Sequence, residues 1–348
     1  MSFFARTVIV AASIASFPVA WAGAEGTTLD PELTAIRAQV TAVRQKLGDR
    51  AGVPEEPDKF IAIPKNGRWL TPAEARGGFA KALPKLDGLR WWKVGLDPTK
   101  LTHALREPAS VVSGAVAAYR ARLDGADRAL RMAREAAEFL IWAQAEAGAG
   151  VFPFPSTRGV KGDRAFAAAE GFLAQAERAG VLAEVIRRGW VFDDRGEGGL
   201  QFDNAEAGVA LFELYVVTRD KAHLDSARKA ADWAVTRPLS RNWNYNSFSV
   251  TLLAKAFAVT GEPRYLAAAQ HKALVGVIPG QLPDGPRAGR WVDPHNAKPA
   301  YHYIMMRSLA QLAAVLPVGD PARAEVVAAL RLGLRARNAD LLGPGAAT

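Results

Sequence analysis

Hydrophobic and polar positions along the second half of the chain repeat in a fixed order. "GVALFELYVV" (208–217) and "SVTLLAKAFAV" (249–259) are apolar nearly all round, as buried helices are. Each is followed by a tight polar turn, "TRD" or "TGE", and then by a helical stretch with Arg, Lys and Glu on one side and small Ala positions on the other. The segments from Phe202 and from Asn244 align without a gap at an offset of 42, so that Asn204 falls on Asn246, Leu211 on Leu253, Thr218 on Thr260 and Ala227 on Ala269. A self-similar unit of that length is a supersecondary element that stacks on its neighbours.

Looser copies extend the pattern to five helical hairpins: 109–144, 162–189, 202–234, 244–276 and 300–338. Asp30 to Gly48 is a further helix, the candidate partner for an incomplete sixth hairpin. No alternating strand run of consequence appears, so the expected fold is all-α. Buried first helices and striped second helices predict an inner and an outer layer, arranged as an α/α toroid rather than an open solenoid. Turns within hairpins are short, whereas the connections between them are long and rich in Trp, Pro and polar residues. All of those connections enter the amino-terminal ends of inner helices. Long connections in compact domains are where function concentrates, which predicts a site at one mouth of the barrel.

The chain begins with Arg6, an apolar run from Thr7 to Ala20, and two small-x-small sites at 20–22 and 22–24. This reads as a signal peptide over 1–22, cut near Ala22 or Ala24, and predicts a periplasmic or secreted protein. An uncleaved anchor fits the short apolar core less well. The remaining expected divisions are an N-terminal helix with an irregular segment over 23–108, the helical hairpins over 109–340 and a flexible tail over 341–348. The chain has no Cys, which excludes disulfides, thiolate metal sites and thiol nucleophiles. Its formal net charge of +9 suits acidic polymers such as uronate polysaccharides. Nucleic acid is not the expected partner, because the Arg residues spread along the outer helices.

Candidate chemistry gathers in two connections. "SRNWNYNSF" offers Arg241, Trp243, Asn244, Tyr245 and Asn246; flat aromatic faces pack on sugar rings while amides bond hydroxyls. One of Asn244 and Asn246 is also expected to cap its helix. "GRWVDPHNAKPAYHY" offers Arg290, Trp291, Asp293, His295, Asn296 and Tyr301, which supply an acid or base near neutral pH, an amide and a phenol. His302 in the same stretch reads as a helix-packing residue. Trp91 and Trp92 mark an earlier connection as a further sugar platform. Asp203 and Asp293 form the best carboxylate pair for glycoside hydrolysis, with an N-cap as the alternative role for Asp203. The loop carrying Asp193, Asp194 and Glu197 reads as a solvated turn, with Ca²⁺ as the alternative occupant.

The "Y..TRD..HL..A..AADW" and "F.VTGEPRYLAAA..KA" units, with their aromatic-rich inner-helix starts, resemble the six-hairpin toroid superfamily of carbohydrate-active enzymes. That superfamily includes glycoside hydrolases and polysaccharide lyases. The resemblance covers about 109–338 and is architectural, so it implies a scaffold rather than a reaction. In toroid lyases an Asn or His neutralises the uronate carboxylate and a Tyr or His moves the α-proton. By residue type Asn246, His295 and Tyr301 match those roles. The expected function is therefore binding and cleavage of an oligo- or polysaccharide, with elimination on an acidic glycan ahead. Hydrolysis by Asp203 with Asp293, or glycan binding without catalysis, are the alternatives.

Overall fold

The computed structural model describes residues 31–55, 71–88, 92, 105–147, 174, 177–180 and 199–342. The expected signal peptide, most of the expected hairpin over 162–189, Trp91 and the loop with Asp193, Asp194 and Glu197 lie outside them. The described residues form helices α1 (Pro31–Leu47), α2 (Pro72–Gly88), α3 (Arg106–Arg120), α4 (Ala126–Ala147), α5 (Gly199–Thr218), α6 (Lys221–Thr236), α7 (Trp243–Thr260), α8 (Pro263–Gly276), α9 (Pro299–Val315) and α10 (Pro321–Leu342). The only pairing of extended backbone among them is an isolated bridge between Gln281 and Trp291. The protein is all-α in its described part. No helix there is long and apolar enough to cross a membrane.

Four antiparallel hairpins, α3–α4, α5–α6, α7–α8 and α9–α10, stand side by side in two layers. In one layer α3 packs on α5, α5 on α7, and α7 on α9; in the other α4, α6, α8 and α10 back them. The two layers follow the hydrophobic pattern. From Asn244 to Ala254 every residue of α7 is buried, whereas α6 buries only the stripe His223, Ser226, Ala227, Ala230, Ala231 and Ala234. Small residues set the spacing between helices: a Cβ added at Gly208 on α5 would lie 2.7 Å from Leu252 Cδ1 and 3.1 Å from Ala230 Cβ. The inner row is curved, because Arg307 of α9 reaches Glu206 of α5 at 2.6 Å across the intervening α7.

The aligned turns are the same turn built twice. Thr218 and Thr260 each donate a hydroxyl hydrogen bond to the carbonyl four residues earlier, and each accepts one from the N–H two residues on. The middle residue is left-handed in both, Arg219 at φ 60° and Gly261 at φ 73°. Asp220 then caps α6 by accepting from Ala222 N–H at 3.0 Å. The aligned asparagines also act alike: Asn204 donates to the Ala230 carbonyl and Asn246 to the Gly276 carbonyl, each tying an inner helix to its outer partner.

Helix α3 packs directly on α5, and α4 meets α6. Two expectations change. Among the described residues α1 pairs with no helix as a hairpin; it lies against α8 and the 278–280 turn and buries no residue fully. Within the segment expected to be irregular, α2 forms behind a capping box. Thr71 N–H donates to the Glu74 carboxylate at 2.8 Å and Glu74 N–H to the Thr71 hydroxyl at 3.2 Å. Gly77, Gly78 and Pro84 obscure that helix in the sequence.

One buried cation gives a pH-dependent expectation. Lys272 on α8 is buried and donates to the Arg237 carbonyl at 2.8 Å. Burial first, and the Arg237 charge second, push its pKa from 10.5 down to about 8. Between those values the unfolded chain holds a proton that the folded chain does not, so this group's contribution to stability rises with pH across about 8 to 10.5. Melting temperatures of the parent should therefore climb over that window relative to a Lys272→Met variant. Parallel curves would show that the buried amine does not titrate there.

Candidate functional site

The starts of α5, α7 and α9 lie at the end of the array where the connections 237–242 and 277–298 run. The turns after Thr218 and Thr260 lie at the other end, as the antiparallel hairpins require. Backbone geometry builds this end. Leu239 lies beside Gly276 of α8, and Ser240 folds against α7, where its N–H donates to the Asn246 side-chain oxygen at 2.8 Å. The amide of Asn246 donates in turn to Ser240 and Gly276 carbonyls at 2.9 and 2.7 Å. Connection 277–298 doubles back on itself, with Leu282 N–H bonded to the Arg290 carbonyl and Val292 N–H to the Gly280 carbonyl. Gln281 pins it to α10 through the Ala329 carbonyl at 3.0 Å. Gly289, at φ 91°, lies where any Cβ would strike the Leu332 carbonyl.

These contacts reassign several residues expected to meet a ligand. Asn246 is fully buried with both ends of its amide engaged, so it belongs to the scaffold. The cap of α7 is Asn242, which accepts from Asn244 N–H at 3.3 Å; neither Asn244 nor Asn246 has that role. Trp291 is 0 % exposed, donates its indole N–H to the Val277 carbonyl at 2.9 Å and meets His302 edge-on. It is a core residue, not a sugar platform. Tyr245 and Trp92 are buried as well. Arg290 is buried and turns to Asp340 on α10. Asp203 is 1 % exposed and accepts from Arg106 Nε at 2.7 Å, while the same guanidinium covers the Phe202 ring. A carboxylate so enclosed and paired is an interhelical tie, unlike the water-accessible acid that hydrolysis needs.

His302 behaves as a packing residue should. Its Nε2 meets the Gly333 carbonyl at 2.9 Å, and burial pushes its pKa down to about 4, so the ring is neutral.

A second group stays together and reaches solvent. The His295 and Tyr301 rings stack at 4.5 Å between centroids with 28° between planes, and both are partly exposed. Lys298 stands 5.8 Å from the centre of the Tyr301 ring. Behind them runs a polar chain: Asn244 donates to Asn296 at 3.0 Å, and Asn296 donates through its amide and its backbone N–H to Asp293 at 2.9–3.2 Å. Asn244 and Asn296 are buried, so this chain connects the two connections from beneath rather than offering free amides. Trp243 is partly exposed, with its indole lying against Gly280, and Arg241 is exposed in the neighbouring connection.

Sequence reasoning missed one member of the group. Glu55 accepts from Lys298 Nζ at 2.6 Å and meets His295 Nδ1 at 3.2 Å. The Lys298 hydrogen bond is the chief cause holding its carboxyl below the usual range, with His295 adding to the effect. Glu55 and His295 are 240 positions apart, and no periodicity in the intervening chain announces their meeting.

No group of three His, Cys, Asp or Glu side chains able to hold a metal occurs among the described residues. Comparison with family models, with curated proteins and with solved structures returns no match for this chain.

Proposed function

We propose that this protein is an exported carbohydrate-active enzyme on an α/α-toroid scaffold that cleaves an acidic polysaccharide by β-elimination at the inner-helix mouth. The observation that carries this reading is the stacked, solvent-reaching pair His295 and Tyr301 beside Lys298. The curvature of the inner row supports closure into a ring, and the net charge of +9 supports an acidic substrate.

In this reading Lys298 faces the uronate carboxylate and makes the adjacent C–H more acidic. His295 takes that α-proton. The electron pair becomes the new carbon–carbon double bond, the glycosidic C–O bond breaks, and Tyr301 gives its proton to the departing oxygen. General acid–base groups placed within hydrogen-bond reach supply such transfers. Trp243 offers the sugar-stacking face. Elimination is preferred to hydrolysis because Asp203 is enclosed against Arg106.

The test is a panel of uronate and neutral glycans assayed both for ultraviolet absorbance of an unsaturated uronate and for new reducing ends. Absorbance and reducing ends rising together on a uronate polymer is the expected result. Reducing ends without absorbance would favour a hydrolase. Binding without either would favour a non-catalytic glycan-binding protein.

A further inference from the structure

We propose that Glu55 is a positioning residue for His295: its carboxylate holds the imidazole in the tautomer with Nδ1 protonated and so makes Nε2 the basic nitrogen. The proposal rests on the reading of His295 as the group that takes the substrate proton.

The short stretch ending in Glu55 is not a loose end laid near the site. A 3₁₀ turn, Gly48–Arg50, follows α1 and brings Ala51 into a small apolar cluster with Leu282 and Val292. Gly52, at φ 73°, lies so close that a Cβ there would sit 2.8 Å from Leu282. Gly52 N–H donates to the Val292 carbonyl at 3.0 Å and Glu55 N–H to the Pro294 carbonyl at 3.1 Å. Arg287 adds a bond to the Asp49 carbonyl at 2.6 Å. The stretch is thus stitched along the connection that carries His295, and its last stitch is one residue from that histidine.

Two restraints then define the ring. Stacking on Tyr301 sets its plane, and the contact from Nδ1 to Glu55 at 3.2 Å sets its rotation within that plane. Nε2 is left at the opposite edge and makes no hydrogen bond among the described residues. Lys298 keeps the carboxylate ionised, so it accepts from Nδ1 rather than donating to it. The titratable groups around the ring are Glu55 from the N-terminal stretch and Lys298 and Tyr301 at the start of α9. Asp293, in the same connection, turns its carboxylate to Asn296. Of these, Glu55 alone both touches the ring nitrogen and favours its protonated form. A carboxylate behind an imidazole fixes the tautomer and raises the basicity of the far nitrogen.

The test is nitrogen-15 NMR of His295 in the full chain, in the parent and in Glu55→Gln and Glu55→Asp, together with kcat and KM on the responsive glycan. The neutral parent ring is expected to carry its proton on Nδ1. In Glu55→Gln the amide can donate as well as accept, so the neutral ring should lose its single tautomer, and kcat should fall about 10-fold with KM little changed. Glu55→Asp, which keeps the carboxylate, should recover part of the loss. The Glu55 side chain is half-exposed, so these variants keep the fold, which matched melts will verify. A parent ring protonated on Nε2, or a Glu55→Gln ring that keeps the Nδ1-protonated tautomer with kcat unchanged, overturns the proposal. The expected NMR result without cleavage of any glycan leaves the carboxylate–imidazole pair standing and sinks the elimination reading instead.

Discussion

Leu253→Asp is expected not to fold. Leu253 is 0 % exposed at the centre of α7, the helix that packs on α5, α8 and α9 at once. Losing the buried isobutyl group costs about 2–5 kcal/mol as judged by large-to-small core changes, and an unpaired carboxylate in its place adds several more. Together they approach or exceed a total stability of about 5–15 kcal/mol. Arg228→Ala is the matched control on the outer layer. Its guanidinium is 42 % exposed and pairs with Glu262, an interaction of a kind worth at most about 1 kcal/mol at the surface. Far-ultraviolet circular dichroism during thermal melting reads both variants. Similar melts for the two would show that the inner and outer layers have been assigned the wrong way round.

Tyr301→Phe should lower turnover by about 10²–10⁴-fold, the scale of a general acid–base group, while leaving glycan affinity nearly intact. The phenyl ring keeps the stack on His295, so the loss isolates the hydroxyl that would protonate the departing oxygen. Trp243→Ala should do the converse and weaken binding more than the chemical step, because a stacking face holds ground and transition states alike. Kinetics that resolve kcat from KM distinguish the two patterns. Full activity in Tyr301→Phe would remove that hydroxyl from the chemistry.

The layer architecture was legible because it rests on periodicity, which is local. Apolar faces all round α7 and a stripe on α6 need no knowledge of distant contacts. The repeated Thr turns were equally plain, since each is closed by groups within four residues. That the connections 237–242 and 277–298 meet the amino-terminal ends of inner helices followed from the order of the hairpins alone.

Individual site residues were harder, for a physical reason. Polar and aromatic side chains in a long connection have two uses, holding the connection down and meeting a ligand, and composition does not separate them. Trp291 and Arg290 hold it down, whereas His295 and Tyr301, a few residues on, reach solvent. One clue was available and points the right way in retrospect: Asn246 aligns with Asn204, and a residue that recurs in register is a structural part of the repeat. Glu55 carried no comparable clue. Its place depends on the Gly52 turn and on backbone bonds to a connection far away in the chain.

Elimination at the His295–Tyr301 pair leaves a signature in its products. A uronate oligomer of defined length, incubated with the parent protein, should give fragments whose new non-reducing ends are one water lighter than hydrolysis products, and Tyr301→Phe should give none at matched time. New non-reducing ends of full hydrolytic mass, or unsaturated fragments formed equally fast by Tyr301→Phe, would rule out elimination through that hydroxyl.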